Sequence, residues 1–588
     1  MRKSTTSSAR QVATLAVVLG AVALPGARAY ACGGFFCDRP PPDGSLPIAQ
    51  AGENVLFILG HDAQTGKGTV EAHIQIVYKG AADQFSWVVP VTALPTLDVG
   101  SDALFERLEP ATRPSFKPMW QMDGTCQGFG GGDSGGGCGS VAGGKASERN
   151  GSAGLDVNGP AVEVVFRGNV GPYDSAVIRS DDPLALEAWL TTNGYYVSDD
   201  SARIIDDYVA AHSYFVALRL RQGQDTSAIQ PIVVRMASDE GCLPLKLTAI
   251  ASTPDLRINV WVLGDARAVP LDYVEIGINQ AKLDWFKFGA NYDELLGEAA
   301  NEAGGDAFAV EYAKPSSTLA ARFAIPQFQI DQLAQASAPA AYLSQLQNLG
   351  LAPTGLVLAV LRERLPLPAT LAAQGVTEAQ FYGNPYAYSA TPLDVPFNAT
   401  TTTAELQTTF FAPLAALAPL FSDHRYLTRF ATFISPEEMT KDPRFVTNAE
   451  LPDVEPQHVA VAHMLCGDQE YDVCHAPVRL HLEDGADVTF AVAAGAPATC
   501  DSRKTPLYDR AGVDKLPSSD VGWLRDAEGP GHQVIDNRSA ITAGVAQQNA
   551  SVPVSTGGCA CSARGRARPV VATLGLLGVL VARRRRRR

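Results

Sequence analysis

The chain has 588 residues, 46% of them hydrophobic and 19% charged, with a formal net charge of −15. That length and apolar content exclude a disordered chain and leave room for one to three domains with sizeable cores. The longest apolar runs lie at the two ends, which excludes a polytopic membrane protein.

Residues 1–31 read as a signal peptide. Arg2, Lys3 and Arg10 make a positive n-region, residues 12–24 an apolar h-region, and Ala29-Tyr30-Ala31 a small-x-small cleavage site. The mature chain is expected to start at or near Cys32. Cys32-Gly33-Gly34-Phe35-Phe36-Cys37 follows, and its spacing exceeds the C-x-x-C of thioredoxin-like redox sites. It reads as a small disulfide ring whose two Phe side chains pin the new N-terminus.

From Glu53 to about Val274 the pattern is that of strands. Residues 54–59, 73–78 and 85–89 are short runs of β-branched and aromatic residues bounded by Gly, Asp and Pro. Similar runs at 162–166, 214–220, 232–235, 245–250 and 258–263 extend the sheet system. Ile74, Ile76 and Tyr78 alternate with His73, Gln75 and Val77, which predicts one buried and one wetter face, as antiparallel sheets allow. Within 182–211 the pattern turns helical, with Asp182 as N-cap and Pro183 in the first turn.

Residues 124–159 form a Gly-rich insertion that carries three familiar patterns. Gly132-Asp133-Ser134-Gly135-Gly136 matches a serine-protease nucleophile segment, residues 130–135 match G-x-G-x-x-G, and 139–145 nearly match a P-loop. Each lacks its context. His73, the available base, sits on a strand pattern rather than in a protease double barrel. The two phosphate-binding patterns lack the flanking strand and helix that aim amide groups at phosphate.

Further along, Asn291 opens a helix that ends at Gly304-Gly305, and helical patterns dominate residues 330–421. Ser435-Pro436-Glu437-Glu438 is another helix start, and a strand pair is expected at 478–482 and 488–492. The expected fold is α+β: an antiparallel β-rich N-terminal part with inserted helices over 32–320, then a mainly helical region over 321–550 with a terminal strand pair. His458, His463, Cys466, Cys474, His475 and His481 invite a zinc reading, but no pair has a usual ligand spacing. Asp468, Glu470 and Asp472 lack the Gly and distal Glu of an EF-hand. No metal or other cofactor is expected.

Residues 551–588 read as a linker and anchoring tail. Cys559 and Cys561 precede Arg564, Arg566 and Arg568, a 14-residue apolar stretch over 569–582, and six terminal arginines. This layout resembles the MYXO-CTERM sorting tails of delta-proteobacterial surface proteins, which implies cleavage near Cys559 or Cys561 and attachment to the outer envelope through lipid on that Cys. A plain tail anchor is the other reading.

Residues 1–31 carry four basic side chains and 559–588 nine, with no acids in either, so the body holds 34 basic against 62 acidic residues, a balance of −28. Such a field repels phosphate backbones, so nucleic acid is not an expected partner, and the membrane is reached only through the tail. Eight of the ten Cys lie in the body, as expected of an oxidising compartment. Loop spacing favours pairing Cys32 with Cys37, Cys126 with Cys138, and Cys466 with Cys474, leaving Cys242 with Cys500 as a long-range staple.

The Cys32 to Cys37 ring, Tyr78-Lys79-Gly80, Phe85-Ser86-Trp87-Val88-Val89-Pro90-Val91, Asn291-Tyr292 and residues 302–312 together resemble the bacterial domain-of-unknown-function family 2330. Tyr426-Leu427-Thr428-Arg429-Phe430 and the stretch from Ser435 through Asp442 to Phe445 look like that family's C-terminal signature. The resemblance implies an exported envelope protein and brings no activity with it. No nucleophile, base and oxyanion set can be assembled from the sequence, so a non-catalytic protein acting through binding or assembly is expected. The rival is an exported hydrolase or carbohydrate-active enzyme that uses scattered carboxylates, whose pairing is spatial and leaves no motif.

Overall fold

The structure is a computed structural model that describes residues 49–553 apart from 80–85, 128–161, 196, 198, 222–228, 251, 352 and 495–505. Its frame is a ten-stranded sheet. In spatial order the strands are His532–Asp536, Ser519–Leu524, Val274–Ile278, Ala307–Pro315, Tyr426–Ile434, Ser252–Gly264, Ala49–His61, Gly68–Lys79, Ile232–Ala237 and Thr96–Val99. All neighbours are antiparallel except Ala49–His61 beside Ser252–Gly264 and Val274–Ile278 beside Ala307–Pro315.

The central strands are buried on both faces, which is why Val55-Leu56-Phe57-Ile58 and Val260-Trp261-Val262-Leu263 read as continuous apolar runs. Val55, Phe57, Val260 and Val262 point into one core, shared with a second sheet of Ser86–Val91, Tyr214–Leu220, Tyr173–Ser180 and Val162–Val170. Leu56, Ile58, Trp261 and Leu263 point the other way, into a core filled by the helices between Ser317 and Asp423 and by the Asp102–Thr112 helix. A third core lies under the Tyr292–Glu302 helix and against a sheet ordered Asp487–Phe490, Val478–His481, Gln457–Asp472 and Ser115–Gln127. The fold is thus α+β, with sheets prominent in the N-terminal half and helices mostly in the C-terminal half.

Several local readings hold for the stated reasons. Asp182 accepts N–H bonds from Leu184 and Ala185 and caps the Pro183–Thr192 helix. The Gly304-Gly305 pair ends the Tyr292–Glu302 helix with φ of 79° and 83°, where a side chain would be strained. Others differ. Residues 245–250 contain a helical turn, Leu245–Thr248, rather than a strand, because Pro244 precedes it and the Asp442 carboxylate accepts the Lys246 N–H at 2.9 Å. The capping box at Ser435 closes only the 3-10 turn Pro436–Glu438. The start of the expected helical stretch of 330–421 is two helices, Gln327–Ala334 and Pro339–Asn348, since Pro339 cannot continue the first. The polar stretch after Val492 supplies two sheet strands and the Arg538–Ser551 helix.

Candidate functional site

The signal peptide, the Cys32 to Cys37 ring, Ser134 and its neighbouring glycine motifs, Cys138, Cys500, Cys559 and Cys561 lie outside the described residues. Cys126 bonds Cys466, with 4.8 Å between Cα atoms and a separation of 340 positions in the chain. This corrects the expected Cys126 to Cys138 and Cys466 to Cys474 pairings. Short loops are entropically cheap, but Ser115–Gln127 and Gln457–Asp472 run side by side as parallel strands and bring the two Cys together. Cys474 is also disulfide-bonded. Cys242 is free, which removes the expected staple to Cys500, and burial pushes its thiol up to about 12.

The histidines of the rejected zinc cluster each hold a carboxylate instead. His458 pairs with Glu483 at 2.8 Å, His463 with Asp123 at 3.0 Å, His475 with Asp472 at 2.8 Å and His481 with Asp487 at 2.8 Å. Asp472 also accepts the Cys474 and His475 N–H groups and so organises a turn. No grouping of three His, Cys, Asp or Glu side chains suited to a metal occurs among the described residues. His73 is buried and bonds Glu71. Trp87 sits in the inter-sheet core, Tyr426 bonds the Ala313 carbonyl, and Asp442 accepts the Tyr208 hydroxyl at 2.7 Å. These residues do not meet at one cleft.

Arg429 does mark a centre. It stands on the middle strand Tyr426–Ile434 with its side chain fully buried, and its Nε lies 2.7 Å from the equally buried Glu311. Nη1 donates to the Glu109 carbonyl and Thr112 hydroxyl, and Nη2 to the Glu109 carboxylate and Asn259. The two Nη groups thus make four hydrogen bonds, while Nε faces Glu311 as an ion pair without hydrogen-bond geometry. The plane also stacks on Trp261 at 5.0 Å. From Asn259 a row of amides crosses the sheet: Asn259 donates to Asn54, Asn54 to Gln75, and Gln75 to Asp102, each within 2.6–2.8 Å.

Arg257 extends the network outward to Asp293 and to Glu311. Burial works against the Arg257 cation, but the Glu311 and Asp293 carboxylates outweigh it and raise its pKa. Burial likewise disfavours the Asp293 anion, yet Arg257 and Arg113 hold its carboxyl below the usual range. Burial, reinforced by Glu311, pushes the Tyr292 phenol up. The network clamps the Asp102–Thr112 helix to the sheet. Glu106 of that helix accepts the Leu356 N–H, and Arg107 donates to the Arg322, Leu349 and Gly350 carbonyls, so the same helix ties down the helical layer.

Two concave surfaces among the described residues are open grooves. One, of about 760 Å³, lies between residues 271–274, 302–306, 441–444 and 524–535. Three of its four acids are engaged: Glu302 accepts the Ser518 and Ser519 N–H groups, Asp306 pairs with Lys441 at 2.9 Å, and Asp272 pairs with Arg444 at 2.8 Å. A second, of about 680 Å³, is bordered by Gly60, Arg235, Asp265 and His424. The His424 ring is anchored on the Leu420 carbonyl at 3.0 Å.

Sequence reasoning missed Glu109, Asn259, Asp293 and Glu311. The usable signal was polar residues inside apolar strand runs, with Asn54, Asn259 and Arg429 each flanked by residues that the sheet buries. A model of the family described as uncharacterised proteins conserved in bacteria, DUF2330, matches residues 54–352. The match includes Asn54, Asn259 and Glu311 and stops before Arg429. No curated protein and no solved structure matches the chain.

Proposed function

We propose that this chain, which belongs to the DUF2330 family of bacterial proteins, is an exported, disulfide-bonded cell-envelope protein that works by binding or assembly rather than by catalysis. The observation that carries this reading is the Cys126 to Cys466 bond, which joins strands 340 residues apart and belongs in an oxidising compartment. The signal-like residues 1–31 agree with that compartment. The engagement of Asp272, Glu302 and Asp306 in the larger groove supports the binding role. A glycosidase-type reaction needs two available carboxylates across a cleft, whereas Glu302 and Asp306 in the larger groove hold backbone amides and a lysine.

Attachment at the outer envelope is the second part of the proposal. The apolar stretch of 569–582 is short for a permanent span, and lipid on Cys559 or Cys561 would retain the body once that stretch is cut away. Partners are sought among envelope or extracellular components, since the acidic body disfavours nucleic acid. Mass spectrometry of the purified mature protein is expected to place its C-terminus near Cys559 to Cys561, with the lipid mass lost in the matching Cys→Ser variant. Finding the six terminal arginines still attached would overturn the sorting-tail reading.

A further inference from the structure

We propose that the Met122 and Met464 thioethers form a site for a soft monovalent cation of the copper(I) class, beside the Cys126 to Cys466 disulfide and the Trp120 indole. Met122 and Met464 are register partners on the parallel strands, as are Trp120 and Ala462, so the alternation of the strand puts Trp120 and both methionines on one face. The Met122 sulfur lies 3.8 Å and the Met464 sulfur 3.9 Å from Cys126 Sγ. Cys126 is oxidised and has no proton to donate, so these are sulfur–sulfur contacts that draw both thioethers to one point. Both thioethers therefore stand within 3.9 Å of one disulfide sulfur atom.

Three of the six methionines, Met119, Met122 and Met464, lie on these two strands. Met122 is 53% and Trp120 43% exposed, so the face is open to a solute, while Met464 is held in a small core with Tyr471 and Val473. Neutral thioethers select soft cations over zinc, calcium or magnesium. Thioethers and a disulfide carry no proton to lose, so binding should be flat from acid to neutral pH, unlike a thiolate or histidine site. The acidic body raises the local cation concentration. The inference rests on this ribbon alone and survives if the envelope reading fails.

The probe is silver nitrate in chloride-free buffer, added to oxidised full-length protein carrying Cys242→Ser, with remaining thiols blocked by N-ethylmaleimide. Native mass spectrometry is expected to show one silver ion per chain, with the tryptophan fluorescence altered through Trp120. Met122→Leu and Met464→Leu, which conserve core volume, should each weaken binding at least as much as the roughly 10–100-fold that supporting changes cost at metal sites. Trp120→Phe should remove the fluorescence response. Absence of silver binding, or equal affinity in the double Leu variant, would overturn the proposal.

Discussion

Replacing Arg429 by Met is expected to lower the unfolding free energy by about 3–5 kcal/mol, the usual cost of stranding one member of a buried ion pair. Glu311 would keep its charge in a fully buried position, with Arg257 at 3.7 Å as its remaining cation. Glu109, Thr112 and Asn259 would each lose a donor, and the Asp102–Thr112 helix would lose one of its ties to the sheet. Pairing Arg429→Met with Glu311→Leu should recover much of the loss, because no uncompensated charge then remains. Urea titrations followed by circular dichroism separate these cases. A single Arg429→Met variant within ~1 kcal/mol of the parent would contradict the clamp.

Acidification from pH 8 to pH 5 is expected to stabilise the protein. Burial pushes Glu53 from 4.5 up to about 7, against hydrogen bonds from Gln50 and Thr248 that pull the other way. Burial also pushes Glu106 from 4.5 up to about 7, with Asp102 nearby adding to the effect and the Leu356 N–H opposing it. Below pH 4.5 both folded and unfolded forms are protonated. As pH rises towards 7 the unfolded chain ionises first, and stability falls by roughly 1.4 kcal/mol per pH unit and per group. The full effect is about 3 kcal/mol for each glutamate. Glu71, whose pairing with His73 and Arg235 overcomes its burial, is held at about 2 and acts only in stronger acid. Glu53→Gln and Glu106→Gln should raise the melting temperature at pH 8 and flatten its dependence on pH. A wild-type melting temperature that climbs from pH 5 to pH 8, or unchanged slopes in both variants, would contradict this assignment.

The strands at 54–59, 73–78, 214–220 and 258–263 were legible because their apolar runs follow the rules of buried sheets. Asp182 marked a helix start through local capping chemistry, whereas Asn291 precedes its helix with a side chain that bonds the Asp284 N–H and the Lys282 carbonyl rather than capping it. The 245–250 run was misread because a short apolar stretch suits a strand or a helical turn equally, and the deciding group, Asp442, lies far along the chain. The Cys126 to Cys466 bond was invisible for a related reason. Loop spacing weighs neighbours in sequence, while parallel pairing of distant strands sets neighbours in space. Arg429 stood out within an apolar strand, but its partners Glu109 and Glu311 come from another helix and another strand. The Arg538–Ser551 helix is rich in Ala, Gln and Ser and shows little apolar stripe, so tertiary docking rather than periodicity defines it.

Non-reducing peptide mapping of the protein isolated from its native cells tests most directly whether the chain is exported and built around its disulfides. The expected result is a cross-linked pair of peptides carrying Cys126 and Cys466, from a chain that has lost residues 1–31, with Cys242 recovered as a thiol after denaturation. Recovery of Cys126 and Cys466 as free thiols in a chain that still carries its first 31 residues would contradict the exported, oxidised envelope protein.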